Sequence, residues 1–148
     1  LAVGQAVPPG EKPVKPYEVT NENAGAVPFS DDALFKKFNG IEGLTRISHD
    51  LVERLTKDPR VEGIFRASDL VRLRRTLVEQ FCYLLGGPCD YTGRNMDDVH
   101  RDHGITKREF NILVELMQQS MDKEGVAYAD QNKLLAKLAP MYRVIVRR

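Results

Sequence analysis

Apolar residues in this chain return every three or four positions, segment after segment, and no stretch of five or more alternates apolar with polar. A strand buries one face at a period of two and a helix at 3.6, so the pattern implies an all-α fold. Ile41, Leu44, Ile47, Leu51, Val52 and Leu55 form one stripe, stopped by Asp58-Pro59. Leu70, Leu73, Leu77, Phe81 and Leu84 form a second, behind a Ser68-Asp69 cap and ahead of Gly86-Gly87, with Arg72, Arg74, Arg75 and Glu79 mostly facing away. Phe110, Leu113, Val114, Met117 and Met121 form a third, opened by Thr106 and Glu109 as a capping box and closed by Gly125. Ahead of these, Ser30 as N-cap with Asp31 and Asp32 starts a short helix carrying Leu34, Phe35 and Phe38, which Asn39-Gly40 ends. The last stripe is Leu134, Leu138, Met141 and Ile145, and Pro140 inside it should kink the helix at a cost of ~3 kcal/mol.

At 148 residues the chain is long enough for a real core and short enough for one ordinary domain. Five of the eight prolines fall in residues 1–29, where apolar surface is scarce, so this stretch reads as a flexible N-terminal extension to a domain at 30–148. Lys and Arg number 22 against 21 Asp and Glu, a balance that gives no basic field for nucleic acid. No apolar run approaches the ~18 residues of a spanning helix, so a soluble protein is expected. The start at Leu1 suits either a cleaved signal peptide, with a periplasmic destination, or a trimmed chain that is cytoplasmic by default. Cys82 and Cys89 are too few for a disulfide scaffold, and buried thiols are the default reading, with a redox-active pair as the alternative. The Cys-x-x-Cys-His motif of covalent c-type haem attachment is absent.

The stretch "GGPCDYTGRNMDDVHRDHGIT", residues 86–106, holds the candidate chemistry. Asn95 caps about two helical turns that Gly104 ends, and Met96, Val99, His100 and His103 share one stripe of that short helix. Three readings are open. Both imidazoles could be satisfied core groups. They could join Cys82 and Cys89 around zinc, although C-x6-C with H-x2-H is not the spacing of compact zinc modules. Or one could be an axial ligand to haem iron in a slot walled by long apolar helices. Periodicity alone does not choose among them.

Residues 33–146 resemble a group I truncated haemoglobin. "ALFKKFNGIEGLTRISHDLVERLTKDPRVEGIF" is similar to that family's opening helices, with Gly40 in the turn where the family usually has Gly-Gly. "GGPCDYTGRNMDDVHRDHGITKREF" is similar to its second Gly-Gly, its Gly-Arg loop, its Met-x-x-x-His helix and its Gly-Ile-Thr helix opening, with no gap needed from Phe35 to Phe110. The resemblance implies a 2-over-2 helical sandwich around one non-covalent haem b per chain. It makes His100 the proximal iron ligand and Phe65 the ring packed on the haem face. Leu70, Phe81, Met96, Val99, Ile105, Phe110 and Val114 become pocket walls. Arg72, Arg75, Tyr91 and Arg94 are candidates for the haem propionates. Thr76 stands where relatives often place a longer basic residue. Tyr142 stands where some carry a histidine that attaches to a haem vinyl, which implies haem held without a covalent bond.

The distal side departs from the family. Its usual tyrosine and glutamine, which hydrogen-bond the bound gas, are replaced by Val52 and by Leu73 and Leu77, none of which has a donor. With Phe65, these line an unusually apolar distal pocket. His49, one turn before Val52, would need a bend in its helix to reach the iron. The implied function is reversible binding of a diatomic gas (dioxygen, nitric oxide or carbon monoxide) rather than catalysis. Nitric-oxide dioxygenation with an external reductase is an alternative, as is a haem-free globin-like interaction domain. Oligomeric state is not readable from the residues.

Overall fold

The computed structural model describes residues 21–61, 63, 70–92 and 106–141. Among them there are five α-helices and no strand: α1 (Ala33–Lys37), α2 (Gly40–Lys57), α3 (Leu70–Leu84), α4 (Lys107–Lys123) and α5 (Tyr128–Leu138). Short 3-10 turns stand at each end, Asn21–Ala24 and Ala139–Met141. No helix among the described residues is long and apolar enough to cross a membrane.

α2 is the organising helix, and its stripe explains why. Leu44, Ile47, Leu51 and Leu55 are buried, and α3 and α4 both pack along this helix. Phe81, Leu84 and Leu85 from α3 and its end, Leu116, Met117 and Met121 from α4, and Leu134 from α5 complete one apolar cluster with Phe38. Each such side chain contributes about 1.5–3 kcal/mol on full burial. Ile41, counted in the same stripe, is instead exposed at the first turn.

The connections follow the turn chemistry of the sequence. Asn39 and Gly40 both take a left-handed φ of 66°, which breaks α1 from α2. Gly43 sits against the Phe38 carbonyl, and a Cβ there would also come within 2.6 Å of Asn39 Cβ, so only glycine lets the two helices meet so closely. The capping box of α4 is complete: the Glu109 N–H donates to Thr106 Oγ1 at 3.1 Å and the Thr106 N–H to Glu109 Oε1 at 2.9 Å.

Four expectations need correction. The N-cap of α1 is Asp32 rather than Ser30, and it makes no side-chain cap bond; the Asp31 carboxylate beside it accepts from the Ala33 N–H at 3.0 Å. Pro140 does not kink a continuing helix among the described residues, because α5 ends at Leu138 and Ala139–Met141 forms a 3-10 turn. Within residues 21–29, assigned above to a flexible arm, single residues are anchored on the domain: Ala24 is fully buried, its carbonyl accepts from Gln80 Nε2 at 2.8 Å, and the Phe29 N–H donates to the Leu84 carbonyl at 2.9 Å. Cys82 and Cys89 are not thiols but a disulfide, with Cα atoms 5.8 Å apart.

An ionic seam ties α2 to α4. Arg46 makes a two-pronged pair with Glu124 at 2.6 and 2.8 Å, and Asn39 Nδ2 donates to the same carboxylate at 2.8 Å. Asp50 accepts from Arg54 at 2.6 Å and from Lys123 at 3.3 Å. Hydrogen bonding from Arg46 lowers the Glu124 pKa against the opposing cost of burial. At Asp50, partial burial alone would raise the pKa, and hydrogen bonds from Arg54, Ser120 and Lys123 together outweigh it, so the net shift is downward.

Candidate functional site

α3 and α4 each pack along α2 rather than on one another. In the first half of each, apolar side chains are left that the chain does not fully cover. Leu70, Leu73 and Leu77 on α3 are half-buried, as are Phe110, Leu113 and Val114 on α4. The second halves differ: Phe81 is 2% exposed, and Leu116, Met117 and Met121 are buried. Val52, on α2, is fully buried yet lies outside the contiguous cluster that forms the core. One turn earlier, about 6 Å along the helix, Ser48 is fully buried with its hydroxyl unpartnered among the described residues.

The polar candidates are held by one another. Arg75 Nη1 donates to Glu79 Oε2 at 2.6 Å and to Thr92 Oγ1 at 2.7 Å. Tyr91 is buried at 3% exposure, and its backbone N–H donates to Asn21 Oδ1 at 2.7 Å. Thr76 turns its hydroxyl back to the Arg72 and Leu73 carbonyls, as an unextended side chain on a helix does. His49 is exposed, in a surface groove with Thr45, Val71, Arg74 and Val78, on a helix that runs unbroken past it. The disulfide removes both thiols from the zinc reading.

Phe65, Arg94, Met96, Val99, His100, His103, Ile105 and Tyr142 lie outside the described residues. The contacts that spacing did not reveal are those of Asn21, Glu79 and Gln80. Each partner lies 13 to 70 residues away in sequence, and no local pattern signals such a pairing.

Described residues that form helices and no strand, with two long helices packed along a third and apolar residues half-buried on both, have the architecture of a globin. The bacterial-like globin family matches residues 33–146, and the chain belongs to that family. The group 1 truncated haemoglobin GlbN of Mycolicibacterium paratuberculosis is 28% identical over 109 residues, covering 74% of this chain and 80% of the relative. The group 1 truncated haemoglobin of Tetrahymena pyriformis is 23% identical over 100 residues, covering 68% and 83%. The crystal structure of truncated haemoglobin from Tetrahymena pyriformis in its Fe(III) form superposes with a TM-score of 0.73 at 20% identity, covering 78% of this chain and 98% of that one.

The family implies a haem cofactor, and the described residues fit one. A porphyrin is a flat apolar disc, and the half-buried Leu70, Leu73, Leu77, Phe110 and Val114 offer the apolar surface that such a disc would bury.

Proposed function

We propose that this globin reversibly takes up a diatomic gas at a haem b iron held by His100, in a pocket whose distal wall offers no hydrogen-bond donor. The haem, held without a covalent bond and one to a chain, supplies when bound a ferrous centre that accepts dioxygen, nitric oxide or carbon monoxide. His100 would supply the proximal nitrogen, and Phe65 would pack beside the ring. Leu70, Leu73, Leu77, Phe81, Met96, Val99, Ile105, Phe110 and Val114 exclude water from it. Arg75, Tyr91 and Arg94 stand at the propionate edge.

The observation that carries the reading is Val52: wholly buried, outside the main core cluster, and without a donor where the family's tyrosine would stand. Leu73 and Leu77 add none. A donor to a gas that becomes polarised on binding is worth about 1.5–3 kcal/mol, as a hydrogen bond to a charged acceptor is. Without it, dioxygen leaves one to two orders of magnitude faster, taking ~1.4 kcal/mol per factor of ten. Carbon monoxide and nitric oxide, less polarised, lose less. The pocket therefore favours the less polar gases relative to one with a tyrosine.

Two measurements test this. Purified protein should show a Soret band that His100→Ala abolishes; a colourless protein that refuses added haemin would instead favour an interaction domain. Val52→Tyr should slow dioxygen loss from the ferrous protein about tenfold to a hundredfold and carbon monoxide loss far less. An unchanged dioxygen off-rate would refute the apolar-wall account.

A further inference from the structure

The loop after α3 turns back along the helix it has left. Gly86 takes a left-handed φ of 81°, and the Gly87 N–H donates to the Cys82 carbonyl at 2.8 Å, closing the helix end. From there the returning chain is tied at each of four successive residues. Cys89 is bonded to Cys82. Asp90 Oδ1 accepts from Asn21 Nδ2 at 3.0 Å, and the Tyr91 N–H donates to Asn21 Oδ1 at 2.7 Å. Thr92 donates to Glu79 Oε1 twice, from its backbone N–H at 2.8 Å and from its hydroxyl at 2.7 Å.

These ties form an antiparallel lacing. Cys82 holds Cys89, and Glu79, one turn back along α3, holds Thr92, three residues further on. Glu79 is itself fixed by Arg75 at 2.6 Å, and the side chains of this pair are only 12% and 17% exposed. Charge-assisted hydrogen bonds to a carboxylate in such a partly buried place are among the strong ones. The disulfide fixes one end of the 89–92 stretch, and Glu79 fixes the other. Thr92 is the last described residue before the segment that carries His100, eight positions on.

The disulfide does not make this a redox switch. Cys82 is fully buried and Cys89 only partly so, so exchange with an external dithiol would attack Cys89 and expel a Cys82 thiolate into an apolar core. A buried thiolate is a poor leaving group. The adjustable tie is therefore the carboxylate.

We infer that Glu79 is a positioning residue: by holding Thr92 to α3 it sets where the chain departs toward His100, and so ties the geometry of the proximal ligand to the helix that bears Leu73 and Leu77. The inference rests on the proposed role of His100. Removing Glu79 leaves the disulfide, the Asn21 contacts, the core and the bond from Arg75 to Thr92 Oγ1 in place, so its effect should fall on the Thr92 backbone and the segment beyond it rather than on folding.

The test uses the full ferric and ferrous protein. Glu79→Ala should lose haem to excess apomyoglobin about tenfold faster, the worth of one hydrogen bond to a charged group. It should also shift or broaden the iron–histidine stretching band of the ferrous form, while far-ultraviolet circular dichroism stays as in the parent. Glu79→Gln keeps an acceptor oxygen for Thr92 and should return haem loss to within about threefold of the parent. A folded Glu79→Ala protein with parental haem loss and band would overturn the inference, as would a defect that Glu79→Gln fails to relieve. A parent protein that takes up no haem would overturn the functional reading itself, an outcome visible before any variant is made.

Discussion

Along α3 the two ends are covered differently. Residues 70–79 all keep some exposure, on every side of the helix, whereas Gln80, Phe81, Cys82 and Leu84 are buried. The stripe Leu70, Leu73, Leu77, Phe81 and Leu84 is continuous in sequence, so hydrophobicity does not make the difference. What changes is the neighbour. The last turn of α3 meets Ala24, Phe29 and the core cluster, while in the earlier turns Leu70, Leu73 and Leu77 are only half-buried, Leu77 among them packed against the edge of that cluster. One end of the helix belongs to a packed base that stabilises the apoprotein, and the other carries the half-buried apolar residues proposed to line the haem pocket.

The largest effect that tests this division is at the base. Phe38 is fully buried in the core cluster, so Phe38→Ala should cost the apoprotein about 3–5 kcal/mol in urea unfolding. Leu77→Ala, at the half-buried end, should cost it only about 1 kcal/mol, because less area leaves water on folding. With haem bound, the Leu77 variant should fall further behind the parent. Equal losses at the two positions in the apoprotein would erase the distinction between base and lining.

Sequence reasoning reached the helices through period and caps, and it succeeded where the signal is local. Thr106 and Glu109 are three residues apart and cap each other. Asn39-Gly40 and Gly125 are left-handed where the chain turns. It failed where the partner is distant. Nothing in a spacing of seven says that Cys82 and Cys89 are bonded, because the closeness of their Cα atoms depends on Gly86-Gly87 folding the chain back. The anchoring of residues 21–29 rests on Ala24, Asn21 and Phe29 finding Gln80, Tyr91 and Leu84, and a proline-rich composition hides these contacts. At the proposed site, the apolar identities of Val52, Leu73 and Leu77 were readable from the chain. That Val52 is wholly covered while the two leucines are only half covered belongs to helix placement.

The smallest effect concerns the base alone and is electrostatic. Glu124 and Asp50 have pKa values below the ordinary carboxylate range, and Asp58 is lowered to about 2 by hydrogen bonds from the Arg60 side chain and backbone. A carboxyl whose folded pKa lies below its unfolded one binds fewer protons when folded. Its contribution to stability is thus complete above the unfolded value and disappears as pH falls through the folded one. Thermal unfolding of the apoprotein should therefore shift downward between about pH 4.5 and pH 2, the interval from the ordinary glutamate value to that of Asp58. The shift should be modest, because water and salt screen ion pairs that face solvent. Glu124→Gln cannot titrate, so the part of the fall that belongs to the Arg46 pair should vanish in that variant, while the melting temperature at pH 7 drops slightly. If the variant and the parent lose equal stability over this interval, the seam between α2 and α4 does not drive the acid response, and the carboxylates elsewhere on the surface do.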